Sequence, residues 1–162
     1  RDLVEVVNAT ASAGYLNGYS DPEYIQHLQQ MKLPFLPSGK HRAFPIKGDS
    51  MPPLSDGSFV IGKFVEDLST VRTGNTYIVL TWNDGLVYKR VINYLKESQE
   101  FELHSDNKYY APYKVHSNDV LEMWEYVCSI NVGKYSEDEL STQSIMQMLR
   151  QMQVQLREIK RI

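Results

Sequence analysis

One serine and one lysine carry the types and setting for chemistry in this chain. Ser50 stands in Gly48-Asp49-Ser50-Met51-Pro52-Pro53-Leu54. Pro52 and Pro53 remove two backbone donors and hold the residues before them extended, so a helix starts poorly here. The stretch is expected to be a tight turn that presents one hydroxyl. Lys89 follows 39 residues later in Leu86-Val87-Tyr88-Lys89-Arg90-Val91. Strand alternation places Val87, Lys89 and Val91 on one face. A lysine between two valines lies either at a sheet edge or in an apolar site. A serine hydroxyl needs a base within hydrogen-bond reach. A lysine with its free pKa of about 10.4 is protonated at neutral pH and cannot serve, but desolvation lowers that value. The pair therefore fits acyl transfer, with Ser50 as nucleophile and Lys89 as general base and then acid to the leaving amine. The backbone N–H groups of Asp49 and Ser50 are the expected oxyanion donors. The plainer alternative is a turn hydroxyl beside a lysine paired with Asp84 or Glu102 across the sheet.

One small and polar segment of the same chain has two readings. Asn8 to Gly18 is small and polar, with Ala13-Gly14 at its middle, 37 residues before Ser50. It fits an ordinary surface loop. It also fits a cleavage loop, because small residues let an extended backbone enter a narrow cleft and Gly14 tolerates a kink.

Ala13-Gly14, the Gly-x-Ser-Met turn at Ser50 and the Val-Tyr-Lys-Arg-Val strand at Lys89 together resemble the LexA and signal-peptidase clan of Ser-Lys proteases. The likeness is to the LexA and phage-repressor branch and covers roughly residues 10 to 130. One departure is Asp49, where LexA commonly has Met; an Asp49 side chain aimed at Lys89 would raise the lysine's pKa. The resemblance implies the C-terminal regulatory and dimerisation half of a transcriptional repressor, with latent self-cleavage at Ala13-Gly14. It implies a homodimer, an activator protein, and DNA binding only through a helix-turn-helix domain ahead of this segment. The chain starts at Arg1, which fits a fragment whose front has been removed. It implies no cofactor. Two rivals stand beside it: a catalytically silent dimerisation or ligand-sensing module, and a signal-peptidase-like peptidase acting in trans.

The elements that must position these residues read as mainly β, a LexA-like coiled sandwich or barrel. Residues 1–40 read as a linker and cleavage region, 41–134 as the β peptidase-like domain, and 135–162 as an association helix. Ser20-Asp21-Pro22-Glu23 is a helix start, and Tyr24, Ile25, Leu28 and Met31 continue a stripe of two to three turns. From His41 many short apolar runs alternate with turns, including the hairpin signal Asn83-Asp84-Gly85. Ser136-x-x-Glu139 is a capping box. It opens a helix with Ile145, Met148, Leu149, Met152, Leu156 and Ile159 on one stripe, where Gln155 interrupts the narrow seam.

Composition narrows the field further. With 162 residues the chain suits one sizeable core plus an appendage. Its net charge of −3 leaves no nucleic-acid footprint. The sole cysteine, Cys128, cannot form an internal disulfide, so a reducing cytoplasm fits. It lies in an apolar run and reads as a small buried hydrophobe. No run approaches the roughly 20 apolar residues of a membrane span. His27, His41, His104 and His116 show no metal spacing, and no glycine-rich phosphate loop is present.

Overall fold

The alternating apolar pattern produces nine strands in the computed structural model of the chain, which describes residues 3–8, 12–132 and 137–160. They are β1 (Leu3–Val6), β2 (Gln29–Lys32), β3 (His41–Pro45), β4 (Phe59–Phe64), β5 (Thr76–Thr81), β6 (Gly85–Tyr94), β7 (Glu100–His104), β8 (Tyr113–His116) and β9 (Val120–Ile130). The fold is mainly β, as expected. All nine join one sheet in the order β2-β1-β3-β4-β9-β5-β6-β7-β8, where regular strand spacing suggests a sandwich or barrel. The sheet is mixed because β1 runs parallel to β3, while the other pairs are antiparallel.

The central strands are buried on both faces. On β5, Ile78 and Leu80 pack with Phe44, Val60 and Trp124, while Tyr77 and Val79 pack with Val91, Phe101, Leu103 and Met123. This is why Tyr77 to Leu80 reads as a continuous apolar run rather than an alternating one. The pairing of β4 with β9 shifts register at a β-bulge between Ile61 and Gly62. A side chain at Gly62 would meet Trp124 Cβ at 2.6 Å, so only glycine fits there.

Three short helices decorate this unit: α1 (Tyr15–Gly18), α2 (Pro22–Gln26) and α3 (Leu95–Ser98). Asp21 caps α2, its carboxylate accepting the Glu23 N–H at 3.0 Å. The stripe through Met31 does not continue as a helix. Gln29–Lys32 is instead strand β2, with Met31 opposite Val4 of β1. Pairing with β1 satisfies backbone groups of both segments, which outweighs the weak periodicity of one short stripe.

Residues 1–132 form one compact unit, so the linker region belongs to the same sheet as the rest. Residues 133–162 form a second unit, in which α4 runs from Glu137 to Lys160, 24 residues. Its Ile145, Met148, Leu149, Met152, Leu156 and Ile159 are exposed. Ser136 of the expected capping box lies outside the described residues, as do Ala9, Thr10 and Ala11 of the expected cleavage loop. No described helix is long and apolar enough to cross a membrane.

Candidate active site

Ser50 lies in the connection between β3 and β4. Ile46 and Ser58 hold the base of this connection, with Ile46 N donating to Ser58 O at 2.7 Å. Gly48 turns the chain with φ +75°, and its N–H donates to the Asp56 carboxylate at 2.7 Å. Beyond the serine, Met51 is buried, with Asp106 N 3.3 Å from its sulfur. The methionine is thus the apolar pin that seats the turn, and Pro52 and Pro53 end it. The segment after β7 holds the turn from the other side. Asn107 N donates to Ser50 O at 3.0 Å, and Asn107 Nδ2 donates to Asp49 O at 3.1 Å.

The backbone N–H groups of Asp49 and Ser50 find no acceptor among the described residues. Donors left open in this way are what a developing oxyanion needs. The Asp49 side chain does not meet Lys89; its carboxylate accepts the Tyr110 hydroxyl. That bond raises the Tyr110 phenol above its ordinary range.

Lys89 lies on β6 where the strand loses its partner β7. Pairing of the two strands begins at Arg90 opposite His104, so Ser105 is the next position beside Lys89. Lys89 Nζ donates to the Ser105 hydroxyl at 2.7 Å, and Ser105 is itself buried. The Tyr110 ring lies 5.5 Å from the same nitrogen. Burial lowers the Lys89 pKa, and the nearby Asp84 charge partly opposes this. Among the described residues Lys89 has no ion pair. Glu102, one expected partner, is taken by His104 at 2.6 Å. Arg90, next to Lys89, forms a two-pronged pair with Asp106 at 2.8 Å on each prong.

Ser50 and Lys89 line one cleft of about 410 Å³, together with Asp49, Asp84, Tyr110 and Ser12. Hydrophobic walls come from Phe44, Ile46, Ile78 and Val87. No hydrogen bond joins Ser50 to Lys89, whose nitrogen is turned to Ser105. The Peptidase S24-like family model matches residues 5–128. The chain belongs to the Peptidase S24-like family. That family generally comprises serine peptidases and falls in the LexA and signal-peptidase-like superfamily. No individual curated protein matches the chain.

In this S24-like chain the Ala13-Gly14 bond lies beside the cleft but does not line it; Ser12 does. Ala13 and Gly14 form a turn into α1, and Gly14 has φ −97° and ψ −2°. The backbone there is helical, not the extended form expected for a bond entering a cleft. Gly14 O accepts the N–H groups of Asn17 at 3.1 Å and Gly18 at 3.0 Å, which favours the helical form.

The histidines serve structural ends. His41 is buried, its Nδ1 3.0 Å from Gly39 O, and His27 contacts Glu23 O at 2.7 Å. His116 accepts the Asn118 N–H at 3.1 Å. No group of metal-ligating side chains occurs among the described residues. Cys128 is partly buried, and its thiol pKa is pushed up, away from reactivity.

Ser105, Asn107 and Tyr110 escaped the sequence reading. Ser105 had a signal: once β6 and β7 are aligned as a hairpin at Arg90 and His104, register puts it beside Lys89. The other two act across a loop and carry no local pattern.

Proposed function

We propose that this domain is a latent Ser-Lys endopeptidase that cuts its own Ala13-Gly14 bond. The observation that carries the reading is the shared cleft: Ser50, Lys89 and Ser12, a neighbour of the bond, line the same walls. Lys89 in its neutral form takes the Ser50 hydroxyl proton as Oγ attacks the Ala13 carbonyl carbon. The oxyanion forms against the Asp49 and Ser50 N–H groups. The C–N bond then breaks, and the proton on Lys89 passes to the Gly14 nitrogen. Water hydrolyses the Ala13–Ser50 ester, with Lys89 again as base, and leaves a carboxylate at Ala13 and a free Ser50. Burial by Val87 and its neighbours supports the base role, since it favours neutral lysine. To act, neutral Lys89 must turn its lone pair to Ser50 while one N–H stays on the Ser105 hydroxyl, and the Ala13-Gly14 bond must leave its helical turn. Both requirements fit a protease that is quiet at rest.

In the full protein this domain is the regulatory and dimerising part of a cytoplasmic transcriptional repressor. DNA is held by a separate helix-turn-helix domain, and an activator protein promotes the cut. Cleavage would part the DNA-binding segment from the dimerising body and weaken operator binding. A silent dimerisation module is the second reading, and the open Ser50–Lys89 gap favours it.

Incubation of the purified chain over about pH 7 to 10.5, read by intact mass, separates the two. The expected result is a time-dependent split into residues 1–13 and 14–162, faster at high pH and lost in Ser50→Ala and Lys89→Ala. An intact chain at every pH, with and without activator, overturns self-cleavage in favour of the silent module.

A further inference from the structure

A buried polar network lies immediately beyond the Ala13-Gly14 bond and outside the cleft. Tyr15 is fully buried, and its hydroxyl donates to Glu122 Oε1 at 2.6 Å. The Tyr15 hydroxyl oxygen in turn accepts from Arg42 Nη1 at 2.7 Å, and Arg42 is only 2% exposed. Arg42 is in turn held by Glu5, with Nε at 2.9 Å and Nη2 at 2.8 Å. Trp124 Nε1 donates to Glu122 at 3.2 Å, and the Arg42 guanidinium lies 4.8 Å from the Trp124 ring centre. The network therefore ties the residue after Gly14 to β1, β3 and β9 at once. The Tyr15 ring packs edge-on against Phe44 at 5.6 Å and against Tyr24 at 6.4 Å. A stable core needs no such arrangement: a phenylalanine in the same place, with apolar partners, would avoid burying two charges and a hydroxyl.

We infer that Tyr15, held by Glu122 and Arg42, is a positioning residue that anchors the leaving-group side of the Ala13-Gly14 bond at the rim of the cleft. This rests on the self-cleavage reading above. One side of the bond reaches the cleft through Ser12, and the other is fixed in the core through Tyr15. Only Ala13 and Gly14 remain to change conformation, and Gly14 has the freedom to do so. Anchoring converts the attack of Ser50 into an encounter of high effective concentration, which is where most of the rate of an intramolecular reaction arises. Burial and the Glu122 charge hold the Tyr15 phenol far above its ordinary pKa, so the anchor keeps its proton where Lys89 loses its own.

The test compares the wild-type chain with Tyr15→Phe and Glu122→Gln. Self-cleavage is read by intact mass, and Ser50 reactivity by labelling with a fluorophosphonate. Tyr15→Phe should slow self-cleavage about 10- to 100-fold while Ser50 labels at the wild-type rate. Glu122→Gln, which keeps an acceptor for the hydroxyl, should stay within about threefold of wild type, a rescue that general loosening of the core would not give. A folded Tyr15→Phe that cleaves as fast as wild type, or faster, overturns the anchor and leaves self-cleavage standing. Equal loss of labelling and cleavage also overturns it, because the damage is then in the cleft. A wild-type chain that neither cleaves nor labels sinks both readings. Should Tyr15→Phe not fold, wild type in low urea decides the matter by hydrogen exchange at Tyr19, whose N–H donates to Tyr15 O at 2.8 Å. Cleavage falling in step with lost protection supports the anchor, and cleavage rising with it overturns the anchor.

Discussion

Replacing Ser105 with alanine removes the one hydrogen bond that Lys89 Nζ makes among the described residues, a 2.7 Å contact to a buried hydroxyl. Hydrogen bonds to a charged group contribute about 1.5–3 kcal/mol, against about 1 kcal/mol between neutral groups. Two effects follow, with opposite signs. The ammonium loses more than the neutral amine does, so the Lys89 pKa falls further and the pH profile of cleavage moves toward acid. The amine also loses its fixed direction. If the full 1.5–3 kcal/mol of orientation is lost in the transition state, the plateau rate falls about 10- to 100-fold. The assay is single-turnover self-cleavage across the alkaline range, with Ser105→Thr as the variant that retains the hydroxyl. A Ser105→Ala chain with unchanged plateau and unchanged midpoint would refute the assignment of Ser105 as the group that orients Lys89.

Met51→Ala should cost about 2–5 kcal/mol in urea unfolding, since Met51 is 3% exposed, and should slow cleavage through the loosened serine turn. Gly62→Ala should cost about 1–3 kcal/mol, because its Cβ meets Trp124 on the neighbouring strand; an unchanged melting midpoint would contradict the packing described. Tyr110→Phe frees the Asp49 carboxylate beside Lys89, so the midpoint of the cleavage profile should move toward alkali; a midpoint that stays put would mean Asp49 remains turned away without its partner.

The geometry of the candidate site is legible where it depends on local pattern. The Ser50 turn announced itself through Gly48 and the proline pair, and Lys89 through its flanking valines. Those cues are short-range consequences of backbone freedom and strand alternation. What stayed hidden depends on chain segments far apart. Tyr15 reads as one aromatic in a polar loop, and only the approach of Arg42 and Glu122 reveals its burial. Local sequence does not say whether the Asp49 side chain aims at Lys89, and Tyr110 on a distant loop decides that it does not. The same limit explains β2: Met31 fits a helical stripe until β1 offers a ladder. Nor does regular strand spacing distinguish one nine-stranded sheet from two facing sheets, because both bury alternate residues.

Lys89 and Asp106 make the pH dependence of stability a separate test of the site. The folded-state pKa of Asp106 is depressed, chiefly by its bond to Arg90. Its stabilisation is therefore present above the unfolded value of about 3.9 and lost as pH falls through the folded value. Both partners are partly exposed, so this share is screened and small. Lys89 acts at the other end of the scale. Burial lowers its folded pKa, so between that value and about 10.4 the unfolded chain holds a proton that the folded chain has released. Unfolding free energy then rises with pH across this window. A paired surface lysine has a raised folded pKa and gives the opposite slope. Urea unfolding of wild type and Lys89→Met from about pH 8 to 11 isolates the term as a difference between two curves. The difference should climb with pH in favour of wild type. A flat or falling difference would show that the folded chain does not favour neutral Lys89, and the general base of the proposed mechanism would lose its physical ground.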